Sequence, residues 1–397
     1  MISALGRGEK DRAAALRPLS RFKDPSDTAT LLDAARKRTG SERAVLLRVL
    51  GDREQKEVLA LLLESARDPS QEVRIAAIEG LSSQKDPAVL APLLEAAESG
   101  PQEVRPIAVL GSLRFGKTIE AKEAATALKI YTRALELSPK KEDRLQAIDG
   151  LARLKSEASL GTLKPLLADR DRETREHAAQ AILPVAASLP DVRKDEAIEI
   201  LKTAIPLAPS SPAARTGTAR LRALGVEYDV AREAGFITQW WLAGPFPNPE
   251  NKTFRQDLVN PDAVDLTASL KAGETQLSWK AFHTADAQGT VNLEEAVARQ
   301  DWVGAYAYAE ITSPDDKRVT LRMGSDDSIE AWLNGKKIHD IKGSRGHAID
   351  QDQVNTRLAV GKNRILVKVL NEGAQWAFSL RITDRQGAPL KLPQKEK

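Results

Sequence analysis

Seven arginines recur at near-constant spacing through the first half of the chain. Arg12, Arg43, Arg74 and Arg105 stand 31 residues apart, and Arg144, Arg175 and Arg215 follow after gaps of 39, 31 and 40. Each precedes an apolar, alanine-rich run with helical spacing (AVLLRVLG, IAAIEGL, EHAAQAIL), and a second run follows most of these (VLALLLESA, VLAPLLEAA, LGTLKPLLA). A unit of this length is one helix pair, and one pair cannot bury its own apolar stripe; it is stable only when stacked on its neighbours. Residues 1–225 therefore read as an α-solenoid, an architecture better suited to recognising surfaces than to carrying out chemistry.

Turn chemistry agrees with this period. Asp24-Pro25 and Asp86-Pro87 each lie 12 residues after a repeat arginine. Aspartate caps a helix there, and proline suits the first turn because its missing N–H has no intrahelical acceptor. The stretch IPLAPSSPAAR (205–215) separates the last two helices, and VEYDVAREAG (226–235) reads as a linker. Residues 117–139 predict an extended second helix, on which Tyr131 and Arg133 either cover the adjoining repeat or face a partner. The repeat arginines are expected to lay their stems on neighbouring helices and their guanidinium groups on inter-repeat carboxylates. The opening MISALGRGEK reads as the tail of an earlier helix pair, with more repeats expected upstream. The pattern DPSQEVRIAAIEGL (68–81) followed by DPAVLAPLLEAA resembles the HEAT-repeat family, and this resemblance implies a protein partner held in the solenoid groove.

Aromatic usage breaks the chain in two. Only Phe22, Phe115, Tyr131 and Tyr228 precede residue 236, whereas all six tryptophans follow it. Periodicity changes at the same place, from helical to alternating. RVTLRM (318–323) sets Val319, Leu321 and Met323 against Thr320 and Arg322, and WAFSLRI (376–382) sets Trp376, Phe378, Leu380 and Ile382 against Ser379 and Arg381. TQLSWKAFH (275–283) aligns Leu277, Trp279 and Ala281. Such runs predict antiparallel strands with one face in the core and the other in solvent. RILVKVL (364–370) is apolar on both faces apart from Lys368 and predicts a central strand. Asn334-Gly335 predicts a type I′ hairpin, whose two central residues need positive φ. Roughly eight strands over residues 236–386 point to an antiparallel jelly-roll β-sandwich, with 387–397 as a polar tail.

Charge and residue usage exclude several functions. Net charge is +3, and residues 236–397 carry 21 basic and 21 acidic side chains. No basic stripe for nucleic acid results. Without cysteine there are no disulfides, redox CxxC pairs or thiolate zinc sites. No apolar run reaches the length of about 18 residues that a membrane span needs. GxSxG, HExxH and phosphate-loop motifs are missing, and His177, His283, His339 and His347 lack metal-ligand spacing.

Two longer motifs carry a resemblance in the second half. GSDDSIEAWLNGKKI (324–338) with LAVGKNRILVKVLNEG (358–373) resembles the galactose-binding-like sandwich of accessory domains on glycoside hydrolases. WWLAGPFPN (240–248), DQDQV (350–354) and the WAFSLRI strand are similar to the C-terminal sandwich of large multidomain proteins of planctomycetes and related bacteria. There it accompanies HEAT repeats and, in some members, a c-type cytochrome module that this sequence lacks. The resemblance implies an extracytoplasmic setting and a polysaccharide-degradation context.

The candidate site residues follow. Asp326, Asp327, Asp350 and Asp352 form a carboxylate set suited to Ca²⁺, which takes six to eight oxygens. PA14-like sandwiches, which place an Asp-Asp pair before a similar hairpin, imply calcium and a sugar at this place. The competing reading has these aspartates capping strand ends and pairing with Arg318, Arg322 or Arg345. Trp241 and Trp332 are candidates for stacking on sugar rings, with Glu330 and Arg345 as polar contacts; core packing is the alternative for each tryptophan. The sequence as a whole reads as a non-catalytic recognition scaffold, its solenoid holding a protein and its sandwich a glycan or another domain. The alternative is a structural accessory module of a larger extracytoplasmic polysaccharide-degrading or redox enzyme.

Overall fold

The structure, a computed structural model, describes residues 24–395. Arg12 and the expected mid-repeat opening lie outside the described residues. The chain divides into two compact units, Met1–Leu163 and Lys164–Lys397.

In the first unit the helices are α1 (Pro25–Arg36), α2 (Gly40–Leu50), α3 (Lys56–Ser65), α4 (Gln71–Leu81), α5 (Leu90–Ser99), α6 (Arg105–Ile119), α7 (Ala124–Leu137), α8 (Lys141–Leu154) and the short α9 (Leu160–Leu163). Asp86 opens the turn before α5, its carboxylate accepting from the Ala88 N–H at 2.9 Å. The stack closes over small and branched residues at helical spacing: Leu46, Leu47 and Leu50 in α2, Val58 and Leu62 in α3, Val73, Ala76, Ala77 and Leu81 in α4, all at or near zero exposure. Residues 117–139 are not one extended helix: α6 ends at Ile119 and α7 begins at Ala124. Tyr131 is buried, donates to Glu120 Oε2 at 2.6 Å and lies so near Gly150 that a Cβ there would press into its ring. It covers the adjoining repeat and faces no partner.

Four of the repeat arginines divide between the expected carboxylates and main-chain carbonyls. Arg43 takes carboxylates, Glu64 at 3.1 Å and Asp68 at 3.2 Å. Arg74 donates to the carbonyls of Asp68 and Pro69 at 2.7 and 2.9 Å, Arg105 to that of Gly100 at 2.8 Å, and Arg175 to those of Asp169 and Arg170 at 2.6 and 3.2 Å. In each case the acceptor lies five or six residues upstream. The periodic cation thus ties down carbonyls of the inter-helix loop, which have no intrahelical partner. Repeat-to-repeat ion pairing falls to other residues: Arg48 with Glu79 at 2.6 Å, Lys85 with Glu54 at 2.8 Å and Arg153 with Glu120 at 2.9 Å.

The second unit begins with α10 (Arg172–Ala187), α11 (Lys194–Ala204), α12 (Pro212–Ala223) and the single turn α13 (Val230–Glu233). Its strands are β1 (Gln239–Pro247), β2 (Leu270–Ala272), β3 (Thr275–Leu277), β4 (Lys280–His283), β5 (Val291–Asn292), β6 (Val303–Ser313), β7 (Lys317–Ser325), β8 (Ser328–Leu333), β9 (Lys336–Ile341), β10 (Asp352–Leu358), β11 (Gly361–Asn371) and β12 (Ala377–Thr383), with one helical turn, α14 (Leu293–Ala296), after β5. A six-stranded sheet in the order β4-β1-β6-β11-β8-β9 faces a four-stranded sheet in the order β10-β7-β12-β5, and β2-β3 form a small ribbon. The chain changes sheet at β4–β5, β5–β6, β6–β7, β7–β8, β9–β10, β10–β11 and β11–β12, the wiring of a jelly-roll sandwich. Between the sheets lie Trp240, Ile329, Val367, Met323, Trp376 and Phe378, with Trp240 set edge-on to Phe378 at 5.0 Å between ring centroids. The β8–β9 turn has Asn334 at φ 53° and Gly335 at φ 90°, as a type I′ hairpin requires. β11 is central, between β6 and β8.

The expectation that fails is the solvent-facing side of the sheets. Thr320, Arg322, Ser379 and Arg381 alternate with the core residues, yet all are buried. Segment 343–351, Gly387 and the start of α10 cover them: His347 Nε2 is 2.9 Å from Ser379 Oγ, and Gly387 lies against Arg172 and Arg322. The outer face of the six-stranded sheet is covered as well, by Phe254, Leu258, Val259, Leu266, Leu270 and Leu277 from the long β1–β4 connection. Within that connection TQLSWKAFH is not one strand: it divides into β3 and β4, and Ala281 is exposed.

Candidate functional site

The acidic loop joins β7 to β8. Asp327 sits at φ 57° and pins two neighbouring segments, accepting from the main-chain N–H of Arg345 at 3.1 Å and of Glu372 at 2.6 Å. Arg345 in turn grips Asp352 with both terminal nitrogens, at 3.0 and 2.6 Å, and donates to Ser325 Oγ at 2.7 Å. His339 Nε2 lies 3.1 Å from the same carboxylate. Asp350 instead receives Arg381 through two nitrogens and Arg322 at 3.4 Å. Burial pushes the Asp352 carboxyl up, but Arg345 and His339 outweigh it and leave it below the usual carboxylate range. Asp326, buried at 6 % exposure, is pushed up by burial and by the adjacent Asp327 charge.

The four aspartates therefore serve separate partners, and among the described residues no three His, Cys, Asp or Glu side chains gather as a metal cradle. Two carboxylates are already neutralised by guanidinium groups and one is held by main-chain donors. This donor set does not fit calcium, because the arginines occupy the lone pairs that the ion needs.

Trp241 and Trp332 share one cross-strand row on the outer face of the six-stranded sheet: Trp241 opposes Tyr308, Tyr308 opposes Leu366, and Leu366 opposes Trp332. The adjacent row runs Tyr306, Lys368, Glu330. Only one end of this surface is open. Trp332 is 2 % exposed, and Glu330 and Lys368 are fully buried. Glu330 accepts from the ammonium groups of Lys368 and Lys337 and from the Arg255 N–H at 3.0 Å; Lys368 also donates to the carbonyls of Thr253 and Gln256, each at 3.1 Å. Lys337 Nζ stands 4.9 Å from the centre of the Trp332 ring. Burial raises the Glu330 carboxyl, but the two lysines overcome that and hold it below its ordinary value. Trp241 is half-buried, 6.2 Å from Tyr308 and capped by Lys395 Nζ at 5.3 Å, with Trp279 6.3 Å from the same tyrosine. Of the predicted sugar contacts, only Trp241 reaches the surface as a ring.

A third feature lies in the helical repeats, where the sequence implies a partner-binding groove. In the first unit a groove of about 570 Å³ opens between α3, α4 and α5. Leu63, Ala66, Ile78, Pro92 and Ala96 line it, with Arg67 and Glu95, both exposed, also on its wall. Its small residues look in sequence like any others that allow helices to pack closely.

Comparison with known proteins bears first on the helices. Residues 28–114, from within α1 to within α6, match the HEAT-repeat family, and the chain as a whole is a helical repeat region followed by an antiparallel β-sheet domain. No curated protein matches. Among solved structures, the PA14 domain of the MpAFP antifreeze protein shares 11 % identity at a TM-score of 0.20, over 23 % of this chain and 52 % of that one. The PA14 sugar-binding domain from an RTX adhesin shares 14 % at 0.20, over 23 % and 51 %. In both cases the match spans about half the length of the other protein's chain. The alkylpurine DNA glycosylase AlkC of Pseudomonas fluorescens, bound to DNA containing an abasic site analog, shares 12 % at 0.33 over 99 % and 97 %. Likenesses this distant assign no function. Among the described residues no helix is long and apolar enough to cross a membrane.

Proposed function

We propose that this protein is a non-catalytic scaffold whose HEAT repeats hold a segment of a partner protein in the groove between α3, α4 and α5. The observation that carries the reading is the groove itself: an apolar wall of Leu63, Ile78, Pro92 and Ala96 with the exposed charges Arg67 and Glu95 beside it. An extended segment that seats an apolar side chain between two charges of opposite sign fits this lining. The sandwich, read as a galactose-binding-like domain of an extracytoplasmic assembly, acts mainly as a platform, since both of its outer faces are largely covered by the chain's own segments. Half-buried Trp241, beside Trp279 and Tyr308, supports a second reading in which that edge stacks on a sugar ring.

The test is selection of peptides from a random library on the whole protein, followed by affinity measurement on Ala96→Trp, which fills the groove. Selected peptides should bind in the micromolar range and lose roughly ten-fold or more, the scale of about 1.4 kcal/mol, on the filled variant. Peptides that bind both proteins equally, or no enrichment at all, defeat the proposal. Glycan-array binding abolished by Trp241→Ala would favour the second reading.

A further inference from the structure

A second cavity, of about 430 Å³, lies within the Lys164–Lys397 unit, between α10, the turn preceding α12 and residues 349–353 beside β12. Its charged lining is Arg172 and Glu176 from α10, Arg381 from β12, and Asp350. Arg322, buried at 4 % exposure, reaches Asp350 at 3.4 Å. Three guanidinium groups thus converge against two carboxylates. Asp350 is shared by Arg381 and Arg322, and Glu176 meets Arg172 at Nε, 3.3 Å away. Arg172 Nη1 is buried and has no hydrogen-bond partner. A buried guanidinium nitrogen without an acceptor is unfavourable unless something supplies one.

The remaining lining is built for the same purpose. Ser210, Ser211 and Pro212 bring the N-terminal end of α12, a twelve-residue helix, to the cavity. The positive end of a helix dipole favours an anion there, although the Ser211 N–H already bonds the Ala208 carbonyl, Ser211 Oγ takes the Ala214 N–H, and Pro212 has none. Gln180 and Gln353 add exposed amides. Burial depresses the Arg322 guanidinium, Asp350 raises it, and the neighbouring charges of Arg172 and Arg381 depress it further, so an added negative charge relieves this cluster.

We propose that this cavity binds a sulfate or phosphate group carried on a small polar body, the oxyanion meeting Arg172 and the start of α12 and the body's hydroxyls meeting Gln180, Gln353 and Ser210. The cavity is larger than a free inorganic ion fills, which favours an ester over the ion alone. Such a site goes beyond the scaffold reading and is independent of the groove in the helical repeats.

Calorimetry and thermal melting of the whole protein, at ionic strength held constant with sodium chloride, test this directly. The probes are inorganic sulfate, inorganic phosphate, glucose 6-phosphate, N-acetylglucosamine 6-sulfate and the two neutral parent sugars. Expected are saturable binding of the esters, weaker binding of the ions, no binding of the neutral sugars, and a rise in the melting temperature of this unit by mass action. Arg172→Gln and Gln353→Glu, each exposed enough to keep the fold, should weaken binding roughly ten-fold, the loss expected for a charge-assisted contact. Equal binding of free ions and esters would keep the oxyanion site and shift its ligand to the inorganic ion. The proposal is overturned by no effect beyond the chloride control, or by unchanged affinity in a folded Arg172→Gln protein.

Discussion

The helical repeats and the sandwich use charge in opposite ways. In the repeats, ion pairs such as Arg48–Glu79 and Arg153–Glu120 sit partly in water and link helix pairs about one period apart. In the sandwich, Glu330 and Lys368 are fully buried, and Arg322, Arg381 and Asp350 are nearly so. A pair in water contributes about 0–1 kcal/mol, because solvation already satisfies each partner. A buried pair contributes little net stability either, but breaking it leaves a charge with neither partner nor water. The repeats should therefore tolerate charge changes that the sandwich cannot.

The largest expected effect is that of Glu330→Ala. It strands Lys368, which keeps only the Thr253 and Gln256 carbonyls, and should cost about 3–5 kcal/mol in denaturant melts of the sandwich unit. A loss below about 1 kcal/mol would mean that the pair is hydrated, and the contrast with the repeats would vanish. The wild-type pair also has a pH signature. Its carboxyl is held low, so the stabilisation is present above the ordinary carboxylate range and is lost as pH falls through the depressed value. Acid melts of the wild type should lose this contribution, and those of the variant should not.

Gly335→Val tests the turn that the sequence specifies most sharply. A β-branched residue at φ 90° costs about 1–2 kcal/mol, and the new side chain also meets Asp262. Calorimetry should show the sandwich transition falling while that of the repeats stays in place; a shift in both would mean the two units melt together.

In the repeats, Arg74→Ala removes two carbonyl contacts and should cost about 1 kcal/mol. Arg48→Ala, which loses only an ion pair, should cost less than about 1 kcal/mol and show no effect in high salt. Equal losses at the two positions would show that tying the loop is worth no more than a surface pair. The last effect has the opposite sign. Asp326→Asn removes a carboxylate whose folded form resists ionisation, so it should stabilise at neutral pH and make no difference at about pH 3, where both states are protonated. Destabilisation at neutral pH would mean that the His347 main-chain hydrogen bond to the Asp326 carboxylate outweighs burial and the Asp327 charge.

Legibility in the sequence followed the range of the interactions. The arginine period, the change to alternation near residue 236, the Asn334-Gly335 turn and the central β11 are local patterns, and local patterns report backbone geometry directly. The candidate site was legible only in part. Glu330 and Trp332, two residues apart on β8, share a face by alternation, yet alternation could not show that segment 248–279 folds over that face. Nor could the run of aspartates show that Arg345, Arg381 and Arg322 take Asp352 and Asp350 from positions up to 31 residues away. The location of the groove at Ala96 and the cavity at Arg172 left no signal, because each is a space enclosed by elements distant in sequence. What the sequence determined by itself is the pair of architectures, since hydrophobic periodicity selects helix or strand residue by residue. The tertiary structure alone decided which polar side chains meet solvent and which meet one another, because burial depends on what the rest of the chain lays over each face.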